Sequence, residues 1–132
     1  MNEALRNVVK FGRSLPVEYV HKVWGKTACV AKHPGFTVHH LVVDPNSYCS
    51  RHFHENRFNG FFITHGSMLI REYDENWQPV SATELHGGGY YEVPPRIRHR
   101  FETRDGCEAL EIYFSPDVRE DDIIRYDQGG KF

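Results

Sequence analysis

The sequence predicts a single all-β domain, a β-barrel or jelly roll, on three observations. Its apolar and β-branched runs are short, of strand length. Turn signals rich in Gly, Pro, Asn and Asp recur about every ten residues. Helical periodicity of useful length is missing, except in the opening residues. A length of 132 residues suits one domain with its own core. With 39% hydrophobic and 26% charged residues, the composition is that of a globular chain and excludes disorder.

The elements follow in order. "MNEALRNVVKF" predicts a short N-terminal helix or a loose arm, and the arm is taken as residues 1–21. The barrel is expected over residues 22–116 and a C-terminal tail over 117–132. "FTVHHLVV" (Phe36–Val43) is β-branched and stops at the turn signal "DPNS". "GFFIT" and "SMLIREY" come next, then "DENWQP" as a hairpin loop. "ATEL", "GYYEV", "HRFET" and "EALEIYF" continue the series, separated by "HGGG", "PPRI" and "RDGC". In the last of these strands Leu110, Ile112 and Phe114 share one face, and Ala109, Glu111 and Tyr113 the other. "VREDDIIRYDQGGKF" is polar and reads as a tail or final turn of structure.

Charge and cysteine usage narrow the function classes. A net charge of −2 gives no electrostatic reason to expect nucleic acid or an anionic membrane as partner. No apolar run approaches the roughly 18 residues that span a bilayer, and the start lacks the apolar core of a secretory signal. The expected location is cytoplasmic. Cys29, Cys49 and Cys107 are odd in number and lack any CxxC spacing, which argues against a disulfide scaffold and a cysteine zinc site.

Nine histidines are many for this length, and they direct the search for chemistry. On a strand, residues i and i+2 project to one side, so His52 and His54 would offer two imidazoles to one cation. His99 follows a Pro-Pro turn in a second polar block, "GGGYYEVPPRIRHRF". Three neutral imidazoles and one oxygen donor suit divalent Zn, Fe, Mn, Co or Ni, with positions left for water or substrate. His39 and His40 are expected to straddle a strand, one inward and one outward. His65 and His86 sit beside turn glycines and are expected to be exposed. Arg51, Arg57, Arg71, Arg96 and Arg98 are candidates for a phosphate-binding rim.

The spacing sharpens the metal reading. His52-x-His54 is followed after four residues by Asn59 and after six more by Gly66. Gly88 is followed after five residues by Pro94, and after four more by His99. This resembles the paired motifs of the cupin superfamily, a jelly-roll family, G-x5-H-x-H-x(3,4)-E-x6-G and G-x5-P-x-G-x2-H-x3-N. Asn46 stands in place of the first glycine, Arg96 in place of the second motif's internal glycine, and Thr103 in place of its asparagine. The main departure is Asn59 at the glutamate position. Either its carbonyl ligates without bringing charge, or the site has three histidines alone.

"HRFETRDGCEALEIYFSPDVREDDIIRYD" further resembles the closing segment of type II phosphomannose isomerases, through His99-Arg100, Leu110-Glu111-Ile112 and the run Glu120 to Arg125. "VWG" at Val23–Gly25 and "LVVDPNSYCSRHFHENRFN" are similar to earlier segments of that family. The resemblance implies a metal-dependent aldose–ketose isomerase of a sugar phosphate such as mannose 6-phosphate. His52, His54, His99 and Asn59 would hold the ion, Arg100 would stabilise oxyanion charge or bind phosphate, and Glu111 would serve as base. It also implies a homodimer. Two other classes stay open: a three-histidine Fe(II) dioxygenase of a small molecule, and a non-enzymatic cupin that binds a sugar or other small ligand.

Overall fold

The computed structural model describes residues 12–132, so the helix or arm expected over "MNEALRNVVKF" lies outside the described residues. The described residues form twelve strands and no helix, as the turn spacing predicts. They are β1 (Val20–Lys22), β2 (Gly25–His33), β3 (Phe36–Val43), β4 (Ser47–Tyr48), β5 (His52–Phe53) and β6 (Phe58–Tyr73). The chain continues with β7 (Pro79–His86), β8 (Tyr90–Val93), β9 (Arg98–Thr103), β10 (Cys107–Phe114), β11 (Ile124–Arg125) and β12 (Gly130–Lys131). No helix among the described residues is long and apolar enough to cross a membrane.

All pairings are antiparallel, and they build two sheets that share one strand. The first runs β1-β2-β3-β10-β6 and ends on β8. The second joins β6 to β7 and β9, and β9 to the short pieces β4 and β5. "GFFIT" and "SMLIREY", expected as separate strands, are halves of the 16-residue β6. Its first half pairs with β10 and β8, its second with β7 and β9. The crossover lies at Gly66, whose φ of 77° is left-handed. A Cβ there would sit 2.3 Å from the Gly106 carbonyl oxygen, so only glycine fits.

Strand pairing crosses both expected segment boundaries. β1 begins inside the segment taken as the arm and pairs with β2. β11 and β12, within the segment taken as the tail, pair with β5 and β4. The "EDDIIR" run is thereby built into the wall of the second sheet.

Alternation sorts the side chains into a dry end and a polar end. Leu41, Val43, Phe61, Ile63, Met68, Ile70, Phe101 and Ala109 are buried together between the sheets. Each large apolar side chain removed from water there contributes about 1.5–3 kcal/mol. On β10 the inner face is the one that carries Ala109 and Glu111, both buried. Directly opposed residues of an antiparallel ladder share a face. One such rung crosses the first sheet as Lys32, Thr37, Tyr113, Asn59 and Val93. It leads from the sheet's interior strands towards the histidines, and its middle is polar.

Candidate metal centre

His52 and His99 are brought together by backbone pairing, because β5 meets β9 at those two residues. His54 follows directly after β5. All three rings are buried, and their ligating nitrogens lie within 4.8 Å of one another. The ring centroids are 4.5 Å apart for His52–His99, 4.9 Å for His52–His54 and 5.4 Å for His54–His99.

The second nitrogen of each ring fixes its tautomer. Nδ1 lies 2.8 Å from the Ser50 carbonyl in His52, 2.7 Å from the Asp122 carbonyl in His54, and 2.8 Å from the Ile97 carbonyl in His99. A carbonyl only accepts, so each Nδ1 carries the proton and each Nε2 presents a lone pair. Arg57 Nε also approaches His54 Nδ1, at 3.2 Å. It cannot donate to a nitrogen already protonated towards Asp122, and the shorter contact decides the tautomer. The Nε2 atoms of His52 and His54 are buried with no hydrogen-bond partner. Buried lone pairs left orphaned on converging imidazoles are what a cation satisfies.

Asn59 completes the cluster. Its Oδ1 is 3.0 Å from His99 Nε2, and its Nδ2 donates to Glu111 at 3.1 Å. Two lone pairs facing each other at that distance repel unless a cation lies between them. Adjacent donors on an ion with bonds of about 2.1 Å are separated by roughly 3.0–3.4 Å. Without an ion, the repulsion is relieved by turning the amide, so that Nδ2 donates to His99 and a protonated Glu111 donates to Oδ1.

The electrostatics keep the imidazoles in their ligand form. Burial, reinforced by the neighbouring His99 and His54, holds His52 well below the usual histidine range. Burial and the Arg57 charge lower His54 to about 3, and burial lowers His99 to about 4. Burial raises the Glu111 carboxyl, opposed by hydrogen bonds from Asn59 and Tyr113. At neutral pH the three rings carry no charge, the state that binds metal.

A cavity of about 680 Å³ opens beside the cluster, lined by His52, Glu111 and Tyr113 together with Thr37, His39 and Arg57. Arg57 is buried, stacks 3.8 Å from the Tyr113 ring centre and donates to the Arg119 carbonyl at 2.7 Å. Asp122 clamps the loop after His54, its carboxylate accepting from the backbone N–H groups of Glu55 and Asn56 at 2.7 and 3.0 Å.

Of the residues singled out in the sequence, the structure gathers His52, His54, Asn59, His99 and Glu111. It does not bring in Arg100. Adjacent to His99 on β9, Arg100 projects to the opposite face, where it pairs with Glu102 at 2.7 Å and lies over the Tyr48 ring. The arginine rim disperses likewise: Arg51 pairs with Asp127, Arg71 with Glu102, Arg96 with Glu55, and Arg98 lies over Phe53 and Trp77. Only Arg57 of that set lines the cavity. His39 faces the cavity, whereas His40 meets the Tyr19 hydroxyl on the other side. His65 and His86 are exposed. Asn46 and Arg96, which replace motif glycines, both have positive φ, 55° and 69°. Thr37 was not singled out, and Asp122 entered only as part of the run Glu120 to Arg125, with no role at the site. The alternation of "FTVHHLVV" puts Thr37 and His39 on the face of Leu41, a signal that finds Thr37; nothing local points to Asp122.

Two sheets sharing a bent strand, with histidines from β5 and β9 at one end, define a cupin-type jelly roll with a site for a divalent metal ion. The solved structures it resembles agree. Oxalate decarboxylase from Bacillus subtilis at pH 4.6 superposes with a TM-score of 0.70 at 13% identity, over 83% of this chain and 30% of that one. The formate complex of Lactobacillus farciminis oxalate decarboxylase gives 0.70 at 17% identity, over 90% and 38%. A further Bacillus subtilis structure, described for its Mn(II) centres, gives 0.68 at 11% identity, over 83% and 30%. The chain thus spans about a third of the length of these neighbours. No protein-family model matches the sequence, and no curated protein does. These neighbours support the fold and do not speak for the isomerase resemblance.

Proposed function

We propose that this protein is a metal-dependent enzyme of small hydroxy-carbonyl substrates, an aldose–ketose isomerase of a sugar phosphate. The observation that carries the reading is Glu111, a buried carboxyl that lines the same cavity as His52 and is held 3.1 Å from Asn59. His52, His54 and His99 would hold the ion, with Asn59 Oδ1 as the oxygen donor. Bound there, a divalent ion supplies polarisation of the substrate's carbonyl oxygen. Glu111 takes the proton from the carbon beside the carbonyl and returns it to the neighbouring carbon. Burial raises its pKa towards the range in which a carboxyl does both near neutral pH. Tyr113 hydrogen-bonds Glu111 and holds it in place. Arg100 has no part in this scheme, because it lies across the strand. Three free cysteines accord with a reducing, cytoplasmic setting, and a homodimer belongs to the same reading.

The experiment is proton exchange. Metal-reconstituted protein is incubated with mannose 6-phosphate in D2O, and deuterium at C2 is followed by NMR. Exchange is expected, and Glu111→Gln should abolish it while metal content stays unchanged. Absence of exchange with every divalent metal tried would refute the isomerase. A second reading rests on the charge-neutral donor set, three histidines with an amide, which also suits an Fe(II) dioxygenase. Its signature is Fe(II)-dependent oxygen uptake. Oxalate, with carbon dioxide release as readout, tests the activity named for the structural neighbours. Sugar binding without turnover would mark the non-enzymatic alternative.

A further inference from the structure

The cavity has a second polar end that the metal scheme does not use. Thr37 is buried, lines the cavity, and its hydroxyl oxygen has no hydrogen-bond partner. It stands beside Tyr113 on the polar rung, and Lys32 stands beside Thr37. Above Tyr113 lies the Arg57 guanidinium, which forms no ion pair among the described residues although the side chain is buried. Lys32, also on the cavity wall, reaches only the exposed Glu120 at 3.5 Å. A buried cation with no carboxylate in direct contact, on which Glu111 acts only at longer range, and a buried hydroxyl without a partner are each costly. Both costs are relieved by one oxyanion placed between them.

We propose that Thr37, Arg57 and Lys32 form the subsite for the phosphate of the substrate, with Thr37 and Lys32 on the far side of Tyr113 from the histidines and Arg57 reaching across the Tyr113 ring between the two. The inference rests on the sugar-phosphate reading and places the phosphate within it. Neighbouring strands are about 4.8 Å apart, so the Thr37 backbone lies roughly 10 Å along the rung from that of Asn59. A six-carbon chain ending in phosphate spans roughly 9 Å at about 1.5 Å per bond, allowing for zigzag. The spacing matches a substrate whose carbonyl meets the ion while its phosphate meets Thr37 and Arg57. His39, on the same inner face, is held below the usual histidine range by burial and by Arg57. It therefore adds a neutral hydrogen-bonding group beside the two cations rather than a third charge.

The test uses inorganic phosphate, so it does not depend on turnover. The full chain is loaded with Mn(II), and 31P relaxation is titrated with phosphate, with acetate as a competing carboxylate. Saturable paramagnetic relaxation is expected, corresponding to a phosphorus about 10 Å from the ion rather than one bound to it. Thr37→Val and Arg57→Gln should each weaken phosphate binding about tenfold, and acetate should compete poorly. Thr37→Val should not lower the melting temperature of the phosphate-free protein, because the hydroxyl it removes has no partner. It should shrink the upward shift that phosphate produces in wild type, so that about tenfold more phosphate is needed for the same shift. Direct coordination of phosphate to Mn(II), binding unaltered in Thr37→Val, equal competition by acetate, or no saturable binding would each overturn the subsite. If the subsite stands while deuterium exchange fails, the isomerase reading alone is lost.

Discussion

Acidification of the metal-free protein should be unusually damaging, and the structure sets the size of the effect. Burial depresses His54 to about 3 and His99 to about 4, against an unfolded value near 6.5. Below pH 6.5 the unfolded chain takes up protons that the folded chain refuses. The stability tied to these rings is therefore fully present above pH 6.5 and is lost as pH falls towards their folded values. Each ring contributes up to about 1.4 kcal/mol per pH unit and half of that at pH 6.5, so the two together remove about 3 kcal/mol between pH 6.5 and 5. His52 shifts the same way and adds to the loss. Glu111 works in the opposite sense, since burial raises its pKa, and offsets at most one proton of this slope. A domain of this size has only about 5–15 kcal/mol in total, so much of it is at stake. Urea melts of chelator-treated protein from pH 7.5 to 4.5 measure the slope directly. His99→Gln should flatten it by one proton, and a saturating metal should preserve stability to lower pH. A stability flat between pH 7 and 5 would refute the buried-neutral-imidazole argument.

Other perturbations address single contacts. Asn59→Asp places a carboxylate against Glu111 at the distance of the present 3.1 Å hydrogen bond. It should tighten metal binding at least tenfold in chelator competition at neutral pH, and make that binding more strongly pH-dependent than in wild type, since without the ion the two carboxyls share a proton that metal must displace. Asp122→Ala removes two backbone caps at 2.7 and 3.0 Å and should cost about 1–3 kcal/mol in urea melts, with weaker metal binding because the loop after His54 loosens. Arg100→Met should leave metal affinity and deuterium exchange unchanged, and a large loss of either would contradict its placement on the outer face. Gly66→Ala should destabilise by about 3 kcal/mol or more, because a left-handed φ and a 2.3 Å backbone clash coincide.

How much of this was legible in the sequence depends on the range of the contacts involved. Alternation and turn chemistry are local, and they sufficed for the all-β class and for β3, β8, β9 and β10. The histidines were legible because a strand sends His52 and His54 to one side whatever lies beyond. Arg100 shows the same rule working against family resemblance: next to a metal-facing His99 on a strand, it must point away. β4, β5, β11 and β12 are two residues each, too short for any periodicity, and exist only through their partners. The division of β10 into inner and outer faces was legible, but not which was which. Leu110, Ile112 and Phe114 form the more apolar face, yet the barrel turns Ala109 and Glu111 inward to make room for a cavity.

The hydrogen bond from His54 Nδ1 to the Asp122 carbonyl closes a loop of 68 residues. β11 supports His52 across a comparable separation, through the pairing of Arg125 with His52. The core pairing of Leu41 with Ala109 spans the same separation, so the site and the apolar core are closed by contacts of equal range. A chain collapsed around Leu41, Phe61 and Ile70 but with this segment undocked would hold most of its apolar core and none of its finished ligand geometry. Metal uptake is then a quality check on the fold, since an ion gains its full coordination only from molecules in which this segment has docked.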